Sequence, residues 1–167
     1  DTLGVVYTPS EIVRFMIRST DQLLHRHFGK GLAAENVHIL DPCTGTGTFI
    51  TELIEHLPAA HLPDTYAHEI HANEVGLLPY YIASLNIEAT YRQKTEEYEP
   101  FGNMVFIDTL ENMGFGYKGK NLELHGLTEE NSARIRRQNK QRISVVIGNP
   151  PYNANQMNEN DNNKNKE

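Results

Sequence analysis

Short apolar runs alternate with helix-like stretches along this chain, and that alternation limits the possible folds more than any other feature. Val37-His38-Ile39-Leu40 runs into Asp41, and a second strand is predicted over Tyr66 to Asn73, with Glu74 just beyond it. Met104-Val105-Phe106-Ile107 runs into Asp108, and Ile143-Ser144-Val145-Val146-Ile147 runs into Gly148-Asn149-Pro150-Pro151-Tyr152. Between the runs, Phe49, Ile50, Leu53, Ile54 and Leu57 recur at helical spacing. Leu77 to Glu88 reads as a helix with Leu78, Ile82, Leu85 and Ala89 on one face, and a polar helix is predicted from Thr128 to Gln141. Strands separated by helices imply parallel pairing through right-handed crossovers. The predicted class is α/β, a Rossmann-like open, mainly parallel sheet with helices on both faces. Ligands of such sheets sit beyond the carboxyl ends of the strands. Asp41, Glu74, Asp108 and Asn149 all fall at those ends and are expected to share one cleft.

An additional helix precedes the sheet. Thr8-Pro9-Ser10-Glu11 offers a capping Thr, a Pro at the first helical position and a Glu soon after. Ile12, Val13, Met16, Ile17, Leu23, Leu24 and Phe28 then form an apolar stripe, ended by Gly29 and Gly31. The other end differs in kind. Residues 153–167 are rich in Asn and hold no Leu, Ile, Val or aromatic side chain. Such a segment buries too little to offset its own ordering, so a mobile tail is expected. The domain boundary is set at 152, with residues 1–152 forming the ligand-binding core.

Composition narrows the function classes. No apolar run approaches the roughly 20 residues that span a bilayer, so no membrane association is expected. A single cysteine, Cys43, excludes an internal disulfide and suits a cytoplasmic protein. The formal net charge of −7 argues against strong nucleic-acid binding by these residues alone. Arg134, Arg136, Arg137, Lys140 and Arg142 form a local exception. They are either a solvated helix face or phosphate contacts beside the site. His61, His68 and His71 lack Cys or carboxylate partners at ligand spacing, so they are read as surface histidines and no metal site is expected.

Asp41-Pro42-Cys43-Thr44-Gly45-Thr46-Gly47-Thr48-Phe49 follows a strand and opens a helix. Glycines there let backbone amides approach a ligand, and a helix N-terminus favours negative charge. A dinucleotide fingerprint would place Gly or Ala at position 50, where this chain has Ile50. A nucleoside ligand also needs an acceptor for its ribose hydroxyls. Glu69 and Glu74 are the candidates. Ending the strand at Glu74 leaves a connection of ordinary length before Leu77, which favours Glu74. Asp108 is placed to meet an adenine amino group.

Asn149-Pro150-Pro151-Tyr152 suggests the reaction. The lone pair of a base's exocyclic amine is delocalised into the ring, so the nitrogen is a poor nucleophile. Two acceptors on its hydrogens, the Asn149 side-chain oxygen and the Pro150 carbonyl, would draw it toward tetrahedral geometry. The prolines fix φ and hold that carbonyl in place. Tyr152 offers a flat face for a base that has left its stack.

These motifs, in this order, resemble the gamma group of amino-methyltransferases acting on adenine in DNA. Tyr7-Thr8-Pro9 matches that group's N-terminal helix start, Asp41 to Phe49 its Gly-containing turn, and Asn149 to Tyr152 its last motif. Glu74-Val75-Gly76-Leu77-Leu78-Pro79-Tyr80 is similar to a segment of restriction-modification polypeptides that join this domain to a helicase. Cys43 stands where Ala is frequent, a small-for-small exchange. The resemblance implies S-adenosylmethionine as cofactor, surrounded by Tyr7, Thr8, Asp41, Thr44, Gly45, Thr46, Gly47, Glu74 and Asp108. It implies catalysis by Asn149, Pro150, Pro151 and Tyr152 on an adenine flipped out of double-stranded DNA. It further implies that about four of seven strands are present, with the remaining C-terminal strands and a target-recognition region lying elsewhere in the parent protein. The 167 residues alone are then expected to be catalytically silent and to bind duplex DNA weakly. Competing readings are an amino-methyltransferase for guanine in ribosomal RNA or for a protein glutamine, a nicotinamide-dependent dehydrogenase, and a module that only binds cofactor.

Overall fold

The computed structural model describes residues 8–109 and 129–151. Tyr7, Tyr152 and the 153–167 tail lie outside the described residues. The described elements are α1 (Ser10–Phe28), β1 (His38–Asp41), α2 (Thr48–His56), α3 (Leu62–His68), β2 (Ile70–Glu74), α4 (Leu77–Thr95), β3 (Met104–Phe106), α5 (Glu129–Gln138) and β4 (Ile143–Val146). The four strands form one parallel sheet in the order β3-β2-β1-β4. The α/β class and the parallel sheet agree with the sequence reading.

Register places the strand tips side by side. Asp41 pairs with Ala72, and Glu74 pairs with Phe106, while Leu40 pairs with Val146. Successive strands step from β1 to β2 to β3, and then the chain returns across the sheet to β4 on the other side of β1. The reversal opens a crevice between the carboxyl ends of β1 and β4. α2 packs against both α1 and α4. The crossover from β3 to β4 runs the opposite way, so the right-handed rule puts α5 on the other face. The core joins Val13 and Ile17 of α1 to Ile50, Leu53 and Ile54 of α2, Ile39 and Ile70 of the sheet, and Ile87 of α4.

Several local expectations are corrected. Thr8 does not cap α1: Pro9 occupies the N-cap at φ −56° and ψ 138° with no side-chain cap, and the helix starts at Ser10. The Pro9 carbonyl accepts the amides of Ile12 and Val13 directly. Of the predicted stripe, Val13 and Ile17 are buried, whereas Ile12, Leu23 and Phe28 are exposed. Tyr66 lies in α3 rather than in a strand, because Pro63 and Asp64 suit a helical first turn. Its ring stacks on Tyr91 at 4.0 Å, and its hydroxyl donates to the Glu99 carbonyl. In α4 the predicted face of Leu78, Ile82 and Leu85 is exposed, and Ala83, Ile87 and Tyr91 are buried instead. Gly47 explains the choice. A Cβ there would lie 3.3 Å from the Ala83 Cα, so α4 presents its smallest residue where the turn approaches closely.

The histidine reading is also revised. His71 is buried, with its ring stacked on His38 and Nε2 3.1 Å from His38 Nδ1. No group of three or more His, Cys, Asp or Glu suited to a metal ion occurs among the described residues. Among the same residues, no helix is long and apolar enough to cross a membrane.

Candidate active site

The Asp41 side chain is fully buried at the tip of β1. Its Oδ1 accepts the Cys43 amide at 3.1 Å, while Oδ2 has no hydrogen-bond partner among the described residues. Burial, reinforced by the nearby Glu74 charge and opposed by the Cys43 hydrogen bond, pushes this carboxyl up to about 7. The turn beyond it is closed by the Thr44 hydroxyl donating to the Asp41 carbonyl and the Gly47 amide donating to the Thr44 carbonyl. Gly45 and Gly47 take φ of +57° and +95°, values that a side chain would strain. α2 starts immediately afterwards, at Thr48, so its N-terminus faces the turn.

Glu74 ends β2 and reaches back to the same turn. Oε2 accepts the Gly45 amide at 2.7 Å, and Oε1 accepts the amides of Val75 and Gly76 at 3.0 and 2.7 Å. Glu69 is remote from this cluster. It lies before β2, at the amino end of the sheet, where its carboxylate accepts the Asn36 amide. The two-residue link from Glu74 to α4 matches the short connection on which the choice between the two acids rested.

A chain of polar contacts fastens these tips together. Gln138 donates to Asn73 at 2.8 Å, Asn73 to the Thr109 hydroxyl at 3.0 Å, and Thr109 to the Pro42 carbonyl at 2.8 Å. Asn86 of α4 donates to the Thr46 carbonyl at 2.9 Å. None of these four side chains was singled out from the sequence; Thr109, directly after Asp108 at a strand tip, carried the nearest thing to a signal. Asp108 is near enough for its charge to act on Cys43. Burial first, then the charges of Asp41, Glu74 and Asp108, raise that thiol to about 11, so it stays protonated and suits no nucleophilic role.

β4 delivers Gly148-Asn149-Pro150-Pro151 to the other side of the crevice. The Ile147 amide donates to the Leu40 carbonyl, which fixes the loop against β1. A Cβ at Gly148 would collide with Asp41 Oδ1 and lie 3.1 Å from Pro42 Cδ, so only glycine lets this loop pass the buried acid. Asn149 Nδ2 donates to Thr8 Oγ1 at 3.0 Å, across 141 positions of sequence. The structure therefore gathers Thr8, Asp41, Thr44, Gly45, Thr46, Gly47, Glu74, Asp108, Asn149, Pro150 and Pro151 at one end of the sheet.

The basic stretch goes elsewhere. Arg134 bonds the Met104 carbonyl, the Tyr80 hydroxyl and Glu130, and Arg137 bonds the Gly102 carbonyl and Asn103. These arginines tie α5 to β3. Arg142 precedes β4, at the opposite end of that strand from Asn149. Arg134, Arg137 and Arg142 therefore lie away from the strand tips that carry the candidate site.

The model of the N-6 DNA methylase family matches residues 1–167. Among solved structures, the DrdV–DNA complex determined by cryo-electron microscopy is 60% identical over 99% of this chain, with a TM-score of 0.86. A nuclease-deletion mutant of the Type ISP restriction-modification enzyme LlaGI, in complex with a DNA substrate mimic, is 42% identical over 96%, with a TM-score of 0.81. The ATP-dependent Type ISP enzyme LlaBIII bound to DNA is 42% identical over 96%, with a TM-score of 0.82. The chain spans 16%, 14% and 11% of the lengths of those three chains. No curated protein matches it at comparable significance. The chain belongs to the N-6 DNA methylase family.

Proposed function

We propose that this member of the N-6 DNA methylase family takes part in transferring a methyl group from S-adenosylmethionine to the N6 amine of adenine in DNA, within a cytoplasmic restriction-modification enzyme. One observation carries the reading. The crevice between β1 and β4 sets a Gly-containing turn with acidic flanks against a loop that presents Asn149 and two prolines.

The residues fit the cofactor. A buried carboxylate oxygen of Asp41 without a partner among the described residues suits a ligand that carries positive charge. The Gly45–Gly47 turn and the start of α2 offer backbone amides, and Glu74 offers a carboxylate for vicinal hydroxyls. Thr44 and Thr46 shape that turn, and Asp108 would meet the adenine of the cofactor, with Thr8 and Tyr7 as further expected contacts to it. When bound, S-adenosylmethionine supplies the methyl group as an electrophile.

Asn149 and Pro150 act on the other partner. The Asn149 Oδ1 and the Pro150 carbonyl accept the two hydrogens of the target amine and draw its nitrogen toward tetrahedral geometry. Pro150 and Pro151 restrict the backbone, so the carbonyl is aimed before the substrate arrives. Tyr152 stacks on the flipped base, whose extraction costs a few kcal/mol. DNA in the complexes of DrdV and LlaBIII, and a DNA substrate mimic in that of LlaGI, support DNA as the partner. Further sheet strands and a target-recognition region in the parent protein would complete the cleft.

The test is transfer of tritiated methyl by the full-length protein to duplex DNA, ribosomal RNA and a release factor. Label in N6-methyladenine of the duplex alone is expected. Asn149→Ala should lower the single-turnover rate by about 100-fold or more, the scale for removing one preorganised hydrogen-bonding group. Its cofactor dissociation constant should stay within about twofold, because the amide acts on the base. An Asn149→Ala enzyme with undiminished rate would sink the mechanism, and label in RNA or protein would sink the substrate assignment.

A further inference from the structure

The outward side of α4 is apolar. Leu78, Ile82, Leu85 and Ala89 follow one another at intervals of four, three and four residues, the spacing of a coiled-coil seam, and all four are exposed. Leu78 and Leu85 are 70% and 68% exposed, and Leu77 and Tyr81 beside the seam are also more than half exposed. From Leu77 to Ile87 the helix carries no charged residue. Its opposite side is already taken up in the core through Ala83, Ile87 and Tyr91. A helix apolar on two sides belongs to the interior of a larger assembly. A contiguous apolar patch without charge has the composition of an interface core, not of a solvated face. The stripe gives way to exposed Arg92 and Gln93, so its apolar part covers the turns of α4 nearest the candidate site.

We propose that this seam is the docking site of an apolar helix supplied by another segment of the same parent polypeptide. The inference rests on the parent protein extending beyond these 167 residues, as in the reading above, and not on the methyl transfer. Three observations select that occupant. This chain spans only 16%, 14% and 11% of the DrdV, LlaGI and LlaBIII chains, so each of those proteins carries most of its residues outside the matched part. The patch is also small. Six side chains, at 77, 78, 81, 82, 85 and 89, are far fewer than the about 20–30 residues a side of a stable interface between separate chains. A segment tethered in the same polypeptide needs less, because the link holds it at an effective concentration on the order of mM. Finally, residues 153–167 hold no Leu, Ile, Val or aromatic side chain with which to face the seam. The alternation of four and three residues suits a helix crossing at about 20°, whose side chains seat between those of α4. Tyr81 borders the seam with its ring edge-on to Tyr80 at 5.5 Å, and the Tyr80 hydroxyl accepts Arg134 at 3.2 Å. A helix seated here leans on the element that follows Glu74 by a two-residue link, and so brings another part of the parent protein beside the cleft.

Photo-crosslinking tests the docking directly. Leu85→benzoylphenylalanine is introduced into the full-length protein, which is irradiated and digested, and the linked peptides are read by mass spectrometry. The expected product is one polypeptide linked to itself, from position 85 to a peptide outside residues 1–167 whose apolar residues recur at three- and four-residue spacing. Adding Leu78→Lys and Ile82→Lys should lower the yield of that product about tenfold or more, because the docked helix would have to bury unpaired ammonium groups. On a helix face that is solvated in the full-length protein, the same lysines would be tolerated. Should the double variant fold poorly, Leu78→Gln alone carries the comparison, with an expected fall of about threefold. A crosslink between two copies of the chain, a crosslink confined to residues 1–167, or no crosslinked product overturns the proposal. So does a yield that the substitutions leave unchanged. Methyl transfer to DNA by a protein that gives none of the expected crosslink would defeat this inference alone and leave the proposed function standing.

Discussion

The two ends of the sheet are built from similar residue types and treat them in opposite ways. At the amino end, polar side chains are consumed by structure. Glu69 accepts the Asn36 amide, Asn103 donates to the Ala67 carbonyl, Arg137 donates to the Gly102 carbonyl, and His38 and His71 contact each other. At the carboxyl end, Asp41 keeps a buried oxygen without a partner among the described residues, and Gly45 and Gly47 hold the backbone in conformations that side chains disfavour. A recess of about 400 Å³ nevertheless lies at the amino end, bordered by His38, His68, His71 and Arg137. The contrast teaches that volume is a poor guide here. A buried oxygen without a partner among the described residues marks the carboxyl end, whereas His38, His71, Glu69, Asn103 and Arg137 around the recess already bond one another or the backbone.

Exchanging equivalent residues between the ends should break this symmetry most visibly in cofactor binding. Glu74→Gln keeps the shape and removes the charge, and should raise the dissociation constant for S-adenosylmethionine about tenfold or more, given about 1.5–3 kcal/mol for a charged hydrogen bond. Glu69→Gln should leave that constant unchanged and cost about 1 kcal/mol in urea unfolding. Equal effects of the two in calorimetry would erase the distinction. A glycine pair gives the next largest difference. Gly148→Ala meets Asp41 and Pro42 and should destabilise the fold by about 1–3 kcal/mol, as overpacking does. At Gly102 an added Cβ finds nothing within 4 Å, so Gly102→Ala should stay within about 0.5 kcal/mol. Thermal unfolding of the two variants side by side checks it.

The smallest net effect is expected from pH, because the two ends oppose each other. Asp41 is raised to about 7 from 3.8. The unfolded chain therefore releases this proton first, and the contribution to stability is lost as pH rises from about 4 through about 7. His71 is lowered to about 4 from 6.5, by burial first and then by the neighbouring His38 and Arg137. Its contribution is present above 6.5 and is lost as pH falls through about 4. Wild-type stability should thus vary little over this range. Asp41→Asn should leave the histidine side alone and produce stability that rises with pH, whereas His71→Gln should produce stability that falls. A variant whose urea midpoint follows the wild-type pH profile would show that its residue does not titrate as described.

Much of the candidate site was legible because its signals are local. An apolar run into Asp41 and two glycines, a loop length after Glu74, and Asn149 next to two prolines each occupy a few consecutive positions. What escaped reading depends on packing between distant segments. The buried face of α4 follows from Gly47 approaching Ala83, not from the most apolar stripe. Tyr66 fits either a strand or a helix by composition, and its stack on Tyr91 belongs to α4. For Arg134 and Arg137 of α5 the sequence left two readings open, and the Met104 and Gly102 carbonyls that occupy them lie about 30 residues away in sequence. Thr8 was assigned to a helix cap and to the cofactor; its bond to Asn149 has no local trace.

That bond also orders events in time. The Gly45 amide and Glu74 lie 29 residues apart, so this grip spans far less chain than the bond to Asn149. Joining Thr8 to Asn149 closes a span of 141 residues and waits for β4 to settle beside β1. Distant pairings form slowly because chain entropy is lost before the contact compensates. On the proposed reading, the turn that would hold the cofactor is expected to assemble before the loop that would act on the base docks beside it.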